Sequence, residues 1–195
     1  LTANTTGAKN IGVGANALAA NTTADNNIAV GCGAMLNNTT GAENNAIGNS
    51  SLCANTEGTN NTALGHLALR ANTTADNNTA VGMSALTANT TASNNTAVGF
   101  EALKTNITGS GNTAVGRDAL ETNTANDNTA VGYEALKLNT TGTRNSSFGR
   151  NALEANTTGG NNTAMGTNAL LLNTTAVGNT AFGADSLTAN TTGCR

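Results

Sequence analysis

The amino-acid sequence repeats a 17-residue unit from one end to the other, and a unit that short decides the fold class almost alone. Counting places from the opening Asn, place 1 is Asn10, Asn27, Asn44, Asn61, Asn78, Asn95, Asn112, Asn128, Asn145, Asn162 and Asn179. The step is 17 residues throughout, except 16 between Asn112 and Asn128, where one residue is missing from the polar turn at 123–127. Residues 1–9 read as places 9 to 17 of a partial unit, so the chain is expected to be a processed product or a piece of a longer array. A helix pair needs more than about thirty residues per repeat. Seventeen residues suit one coil of a parallel β-solenoid, with two short strands and two corners.

The columns of the repeat assign the parts. Place 5 is Gly in all eleven units, from Gly14 to Gly183, which requires positive φ or leaves no room for a Cβ. Place 4 is always apolar, running from Val13 through Ile47, Leu64 and Phe148 to Phe182, and place 9 is Leu except at Met35. Places 3 and 8 are small. Thr-Ala-Val favours a first strand at places 2–4. The second segment, as in Glu101-Ala102-Leu103-Lys104, reads as a second strand, because a single turn of helix has little stability of its own. The absence of Pro suits an unbroken ladder. Asn at places 1 and 12 would stack into two amide ladders at the coil spacing of about 4.8 Å. The expected fold is therefore all-β: one repeat domain over 1–195, a partial coil at 1–9 and eleven coils over 10–195.

Neighbouring residues of a strand face opposite sides. If the place-4 residues and Leu fill the coil, the Ala column at place 3 looks outward, yet it never carries a charge. Ala29, Ala46, Ala63, Ala80, Ala97, Ala114, Ala130, Ala164 and Ala181 are accordingly expected to form a self-association face.

Composition excludes several functions. The net charge is −3 with 10% charged residues and no basic cluster, so there is no electrostatic footprint for nucleic acid. No run of 18 apolar residues is present to insert in a membrane. His66 is the lone histidine, and acidic residues do not recur as pairs, so neither an enzyme nor a cofactor or metal site is expected. Cys32, Cys53 and Cys194 make no disulfide framework or metal spacing, although Cys194 could link chains in an oxidising setting. Asn-x-Thr sequons recur at place 12, making Asn4, Asn21, Asn38, Asn72, Asn89, Asn106, Asn139, Asn156, Asn173 and Asn190 candidate glycosylation sites on a surface turn. The Thr columns raise an alternative, a monomeric ice-binding or carbohydrate-binding solenoid.

The unit Asn-Thr-Ala-Val-Gly-x-x-Ala-Leu-x-x-Asn-Thr-Thr-Gly resembles the head repeats of trimeric autotransporter adhesins and related repeats of phage tail fibres and bacterial surface proteins. The likeness rests on the Asn-Ser/Thr-x-Ile/Val-Gly core, as in residues 112–116, and covers essentially the whole chain; the 17-residue length and the Asn-Thr-Thr turn depart from those heads. The resemblance implies a left-handed parallel β-roll, three chains together, acting as a stalk or adhesive head at the cell or virion surface. The expected partners are copies of the chain itself and surface glycans or another host substratum.

Overall fold

The computed structural model describes residues 1–193. Eleven three-residue strands, from β1 (Ile11–Val13) to β11 (Thr180–Phe182), form one parallel sheet in sequence order. Register is place on place: Thr96, Ala97 and Val98 of β6 (Thr96–Val98) pair with Thr113, Ala114 and Val115 of β7 (Thr113–Val115). The chain is a β-solenoid of stacked coils, and the sheet runs about 48 Å from its first strand to its last.

Each coil has a single strand. The second segment, expected as a strand at places 7–10, lies in consecutive turns that run over places 6–11, and the described residues contain no helix. The physical reason is the backbone: φ is positive at place 7, as in Glu101 (56°), and at place 9, as in Leu103 (50°). Alternation of handedness curls the segment too tightly for a strand. It still contributes to the ladder between coils. Glu101 N–H donates to Met83 O in the preceding coil (3.0 Å), while Leu103 N–H donates to Ala119 O in the following coil (3.0 Å). The corner at place 5 does need glycine. Gly99 has φ 141°, and a Cβ there would collide with the Gly116 carbonyl oxygen of the next coil.

The interior is thin. Its columns are place 3 (Ala97, Ala114), place 8 (Ala102, Ala119) and place 9 (Leu103, Leu120), all fully buried. The Asn ladders close it between the start of the strand and the polar turn. Asn38 Nδ2 donates to Asn21 Oδ1 of the preceding coil (3.0 Å) and to Gly41 O of its own turn (2.8 Å). At place 1 the Asn44 backbone N–H donates to Asn27 Oδ1 (3.0 Å), and Asn27 Nδ2 donates to the same Gly41 O (2.9 Å). Both ladders thus converge on the place-15 carbonyl, using its two lone pairs. Thr hydroxyls at place 13 form a third rank, as in Thr56 Oγ1 donating to Thr73 O (3.1 Å).

Strand polarity is the reverse of the sequence expectation. Ala29, Ala46, Ala63, Ala80, Ala97, Ala114, Ala130, Ala164 and Ala181 point into the coil and are between 0% and 3% exposed. They line the interior of one chain and are closed to a second. The residues that face out are at places 2 and 4. The coil is too narrow for Val, Met or Phe at place 3, where only Gly, Ala and Ser occur. Ser147, the polar exception, donates its hydroxyl to Ala152 O inside the coil (2.7 Å).

Candidate functional sites on the outer faces

The strand face is the first candidate surface. Two side chains per coil point outward from it. At place 4, Val13, Ile47, Leu64, Val115, Phe148, Met165 and Phe182 are exposed, and the other four residues of the column are half-buried. At place 2 the column holds Thr62, Thr79, Thr96, Thr113, Thr129, Thr163 and Thr180, with Ser146 between them. Among the described residues none of these seven Thr hydroxyls bonds to another protein group. The face is thus an apolar row along all eleven coils beside a hydroxyl row over the last eight, with Ile11, Ile28 and Asn45 at place 2 of the first three, and it carries no charge.

The sequence contains a signal for this that the reading above missed. Place 4 tolerates Val, Ile, Leu, Phe and Met, a range that a close-packed interior would not accept without repacking each neighbour. Place 3 tolerates nothing larger than Ser. In a narrow coil the interior is the column restricted in volume.

The second surface lies across the Gly corner, at places 6, 7 and 10 of the four coils beginning at Asn95, Asn112, Asn128 and Asn145. Nine of the 19 charged residues gather there. Place 6 stacks Phe100, Arg117, Tyr133 and Arg150, and the Arg117 guanidinium lies 5.6 Å from the centroid of each flanking ring. Arg150 sits 5.7 Å from Tyr133. Such cation–π stacking holds each guanidinium by its face while its Nε–H is used within the coil, by Asp118 for Arg117 (3.3 Å) and by Asn151 Oδ1 for Arg150 (3.1 Å). Beside this column place 10 alternates in sign as Lys104, Glu121, Lys137 and Glu154.

Ion pairs knit part of the patch. Lys137 Nζ lies 2.7 Å from Glu134, 3.8 Å from Glu121 and 3.9 Å from Asp118. The hydrogen bond from Lys137 holds the Glu134 carboxyl below its ordinary range, and the same bond raises the Lys137 ammonium. Lys104 is raised in the same way by Glu101, at 3.0 Å. Arg117 Nε approaches Asp118, whose side chain is only 6% exposed, at 3.3 Å. Among the described residues Arg150 has no carboxylate within ion-pair distance, and Glu154 has no cation.

The sequons are not on an open turn. Asn21, Asn38, Asn72, Asn89, Asn106, Asn139, Asn156 and Asn173 are fully buried, and each Nδ2 donates within the ladder or to its own turn. A glycan on any of these amides would break the ladder and has no path out of the coil. Asn4 is exposed and Asn190 half-exposed, because each lies in an outermost described coil. Asn and Thr stand at these places for the ladder and the turn. Among the described residues no three His, Cys, Asp or Glu side chains converge as metal ligands, and His66 is on the surface. Cys32 and Cys53 are free thiols, and Cys194 lies outside the described residues. Among the described residues no helix is long and apolar enough to cross a membrane. No protein family, curated protein or solved structure matches the chain.

Proposed function

We propose that the chain is a non-enzymatic structural rod: a segment of an extracellular fibre or adhesive stalk that associates laterally with copies of itself. The observation that carries this reading is the uncharged outward strand face, where every coil presents one apolar side chain at place 4. A face about 10 Å wide and 48 Å long offers on the order of 500 Å² per chain, at the upper end of the apolar patches that monomers leave open. Two such faces together would bury about 1,000 Å², the lower bound for a specific interface. Repetition along the rod adds a second property. Any weak contact with a glycan or a surface is offered once per coil, so binding is multivalent. The likeness of the Asn-Thr-Ala-Val-Gly core to adhesin and tail-fibre repeats supports a location at the cell or virion surface.

Sedimentation equilibrium tests the reading. The wild-type chain is expected to run well above its 19.2 kDa monomer mass at tens of micromolar. Val98→Lys combined with Val131→Lys is expected to reduce that association strongly while leaving the circular dichroism unchanged. A wild-type chain that stays monomeric would sink the proposal.

One further observation favours a second reading, an ice-binding monomer. The free Thr hydroxyls of place 2 form a straight rank beside an apolar rank on one side of a regular sheet, at a repeat of about 4.8 Å. Thermal hysteresis in a monodisperse sample, abolished by Thr96→Lys, would establish this reading in place of the first.

A further inference from the structure

The charged and aromatic patch contains a pairing rule. Where place 10 is Glu, place 6 of the same coil is Arg: Arg117 with Glu121, and Arg150 with Glu154. Where place 10 is Lys, place 6 is an aromatic: Phe100 with Lys104, and Tyr133 with Lys137. Within one chain the rule has no use, because the ion pairs formed there follow other lines. Lys104 and Lys137 bond to place-7 carboxylates, and Arg117 to Asp118. Arg150 and Glu154 remain without a charged partner among the described residues.

Resting on the self-association reading, we propose that a further copy docks on this second face, in addition to the contact at the strand face, parallel and in register, with place 6 of each chain against place 10 of the other. A two-fold axis along the rod exchanges the two columns and maps each coil onto its counterpart. Arg117 then meets Glu121 of the second copy, Arg150 meets its Glu154, and each Lys meets a ring. The two charges left unpaired in the single chain become partners.

The antiparallel arrangement is the competitor. It sets each column against itself in reverse and pairs Lys104 with Glu154 and Glu121 with Lys137. Place 7 does not decide between the two: the parallel arrangement sets Glu101, Asp118 and Glu134 each beside its own copy, and the antiparallel one sets Asp118 against Glu134. The antiparallel arrangement overlaps only part of the two rods. In-register parallel pairing brings all eleven coils together, and the columns outside the patch meet it without conflict: Ala15 faces Ala19, Met83 faces Thr87, and Thr167 faces Leu171. A strip about 15 Å wide and 48 Å long is about 700 Å² per chain, close to the ~800 Å² per partner of a standard interface. A uniform apolar row, such as place 4, leaves register free to slip by one coil. The patch occurs over four coils only, so it specifies register, as alternating charges do between paired helices, and the overlap of all eleven coils selects the parallel polarity.

The test uses the full chain with Cys32, Cys53 and Cys194 replaced by Ser. Chains bearing Met83→Cys are mixed with chains bearing Thr87→Cys, and disulfide-linked dimers are counted after mild oxidation. The expected yield is at least fivefold above that of either chain alone. E121R/E154R introduced in both chains sets Arg against Arg and is expected to lower the yield at least fivefold. R117E/R150E in both chains does the same with opposite sign. Placing R117E/R150E in one chain and E121R/E154R in the other restores every pair and is expected to restore the yield. Preferential linking of Met83→Cys with Thr167→Cys would establish the antiparallel arrangement and overturn the proposal. An oligomeric wild type with no 83–87 linkage overturns this pairing while self-association stands, whereas a monomeric wild type removes both.

Discussion

The 16-residue coil at 112–127 is a defect that one inserted residue should repair. It lacks place 14, the second Thr of the Asn-Thr-Thr turn. Asn123 Nδ2 bonds to Ala125 O (2.8 Å) but no longer reaches Asn106 Oδ1, which is left buried and unpaired. Asn95 Nδ2, in the same coil as Asn106, is also buried without a partner. The backbone ladder at place 13 is interrupted at the same level. Thr73 N–H donates to Thr90 O and Thr124 N–H to Thr140 O, both at 3.0 Å, but among the described residues no such bond joins Thr90 to Ile107 or Ile107 to Thr124. Each buried unpaired polar atom costs about 1–3 kcal/mol, and ordering one added residue costs about 1–2 kcal/mol. With two such atoms and one added residue at mid-range, inserting Thr between Thr124 and Ala125 should therefore stabilise the chain by about 2.5 kcal/mol. For a chain of this size that corresponds to a rise in Tm of about 5–10 °C. Since repeat arrays unfold by neighbouring units, amide exchange is the sharper assay. Protection should rise in the coils beginning at Asn95 and Asn112 and stay unchanged near Asn27. A Thr inserted after Thr141, in a coil of full length, is the control and should destabilise. An insertion after Thr124 that leaves Tm unchanged or lowers it would refute the account of the orphaned amides.

Three other outcomes follow from the same columns. Gly99→Ala should destabilise by about 3 kcal/mol, read as a lower urea midpoint, because it forces φ 141° on a residue with a Cβ and drives that Cβ into the Gly116 carbonyl. Leu103→Ala empties a fully buried place between Leu86 and Leu120 and should cost about 2–5 kcal/mol, read in the same titration. The Glu134–Lys137 pair should contribute about 0.5 kcal/mol, with limits on both sides. Glu134 titrates below its unfolded value, so its share is present above that value and is lost as pH falls through the folded pKa. Lys137 titrates above its unfolded value, so its share is lost as pH rises through the folded pKa. Glu134→Gln should flatten the acid limb of urea midpoint against pH and leave other ladder contacts intact.

The fold was legible because eleven copies within one chain expose each constraint separately. The Gly column, the Leu column and the two Asn columns read directly as corner, core and ladders, and each has that role. Two things were not legible from columns alone. Ala97 and Val98 are both apolar, and with only three residues in β6, period-2 alternation has no polar partner to orient it. Volume restriction settles the orientation, and it matters only once the coil is known to be narrow. The segment at places 7–10 was misread because Glu-Ala-Leu-Lys carries no turn chemistry. Leu103 holds φ 50° although leucine disfavours it, since burial of its side chain over-determines the backbone. Tertiary packing overrides local preference there, once per coil.

The same separation of columns explains why the outer faces can vary. Backbone ladders, Asn amides, Ala and Leu hold each coil to the next, and none of these groups depends on what stands at places 4, 6 or 10. Substitution at those places leaves the coil-to-coil bonds in place, so a local pattern such as Phe100, Arg117, Tyr133 and Arg150 can arise on four coils without penalty to the rest. The only departure from the 17-residue step falls within those four coils, beside the buried and unpaired Asp118 Oδ1. A stack with this defect is held more weakly there than elsewhere. Pairing with a second chain at that level would brace the weakest joint of the rod, so cross-linking 83 to 87 should raise amide protection most in the coils beginning at Asn95 and Asn112. Protection gained evenly along all eleven coils would separate the interface from the defect and show that their coincidence has no mechanical meaning.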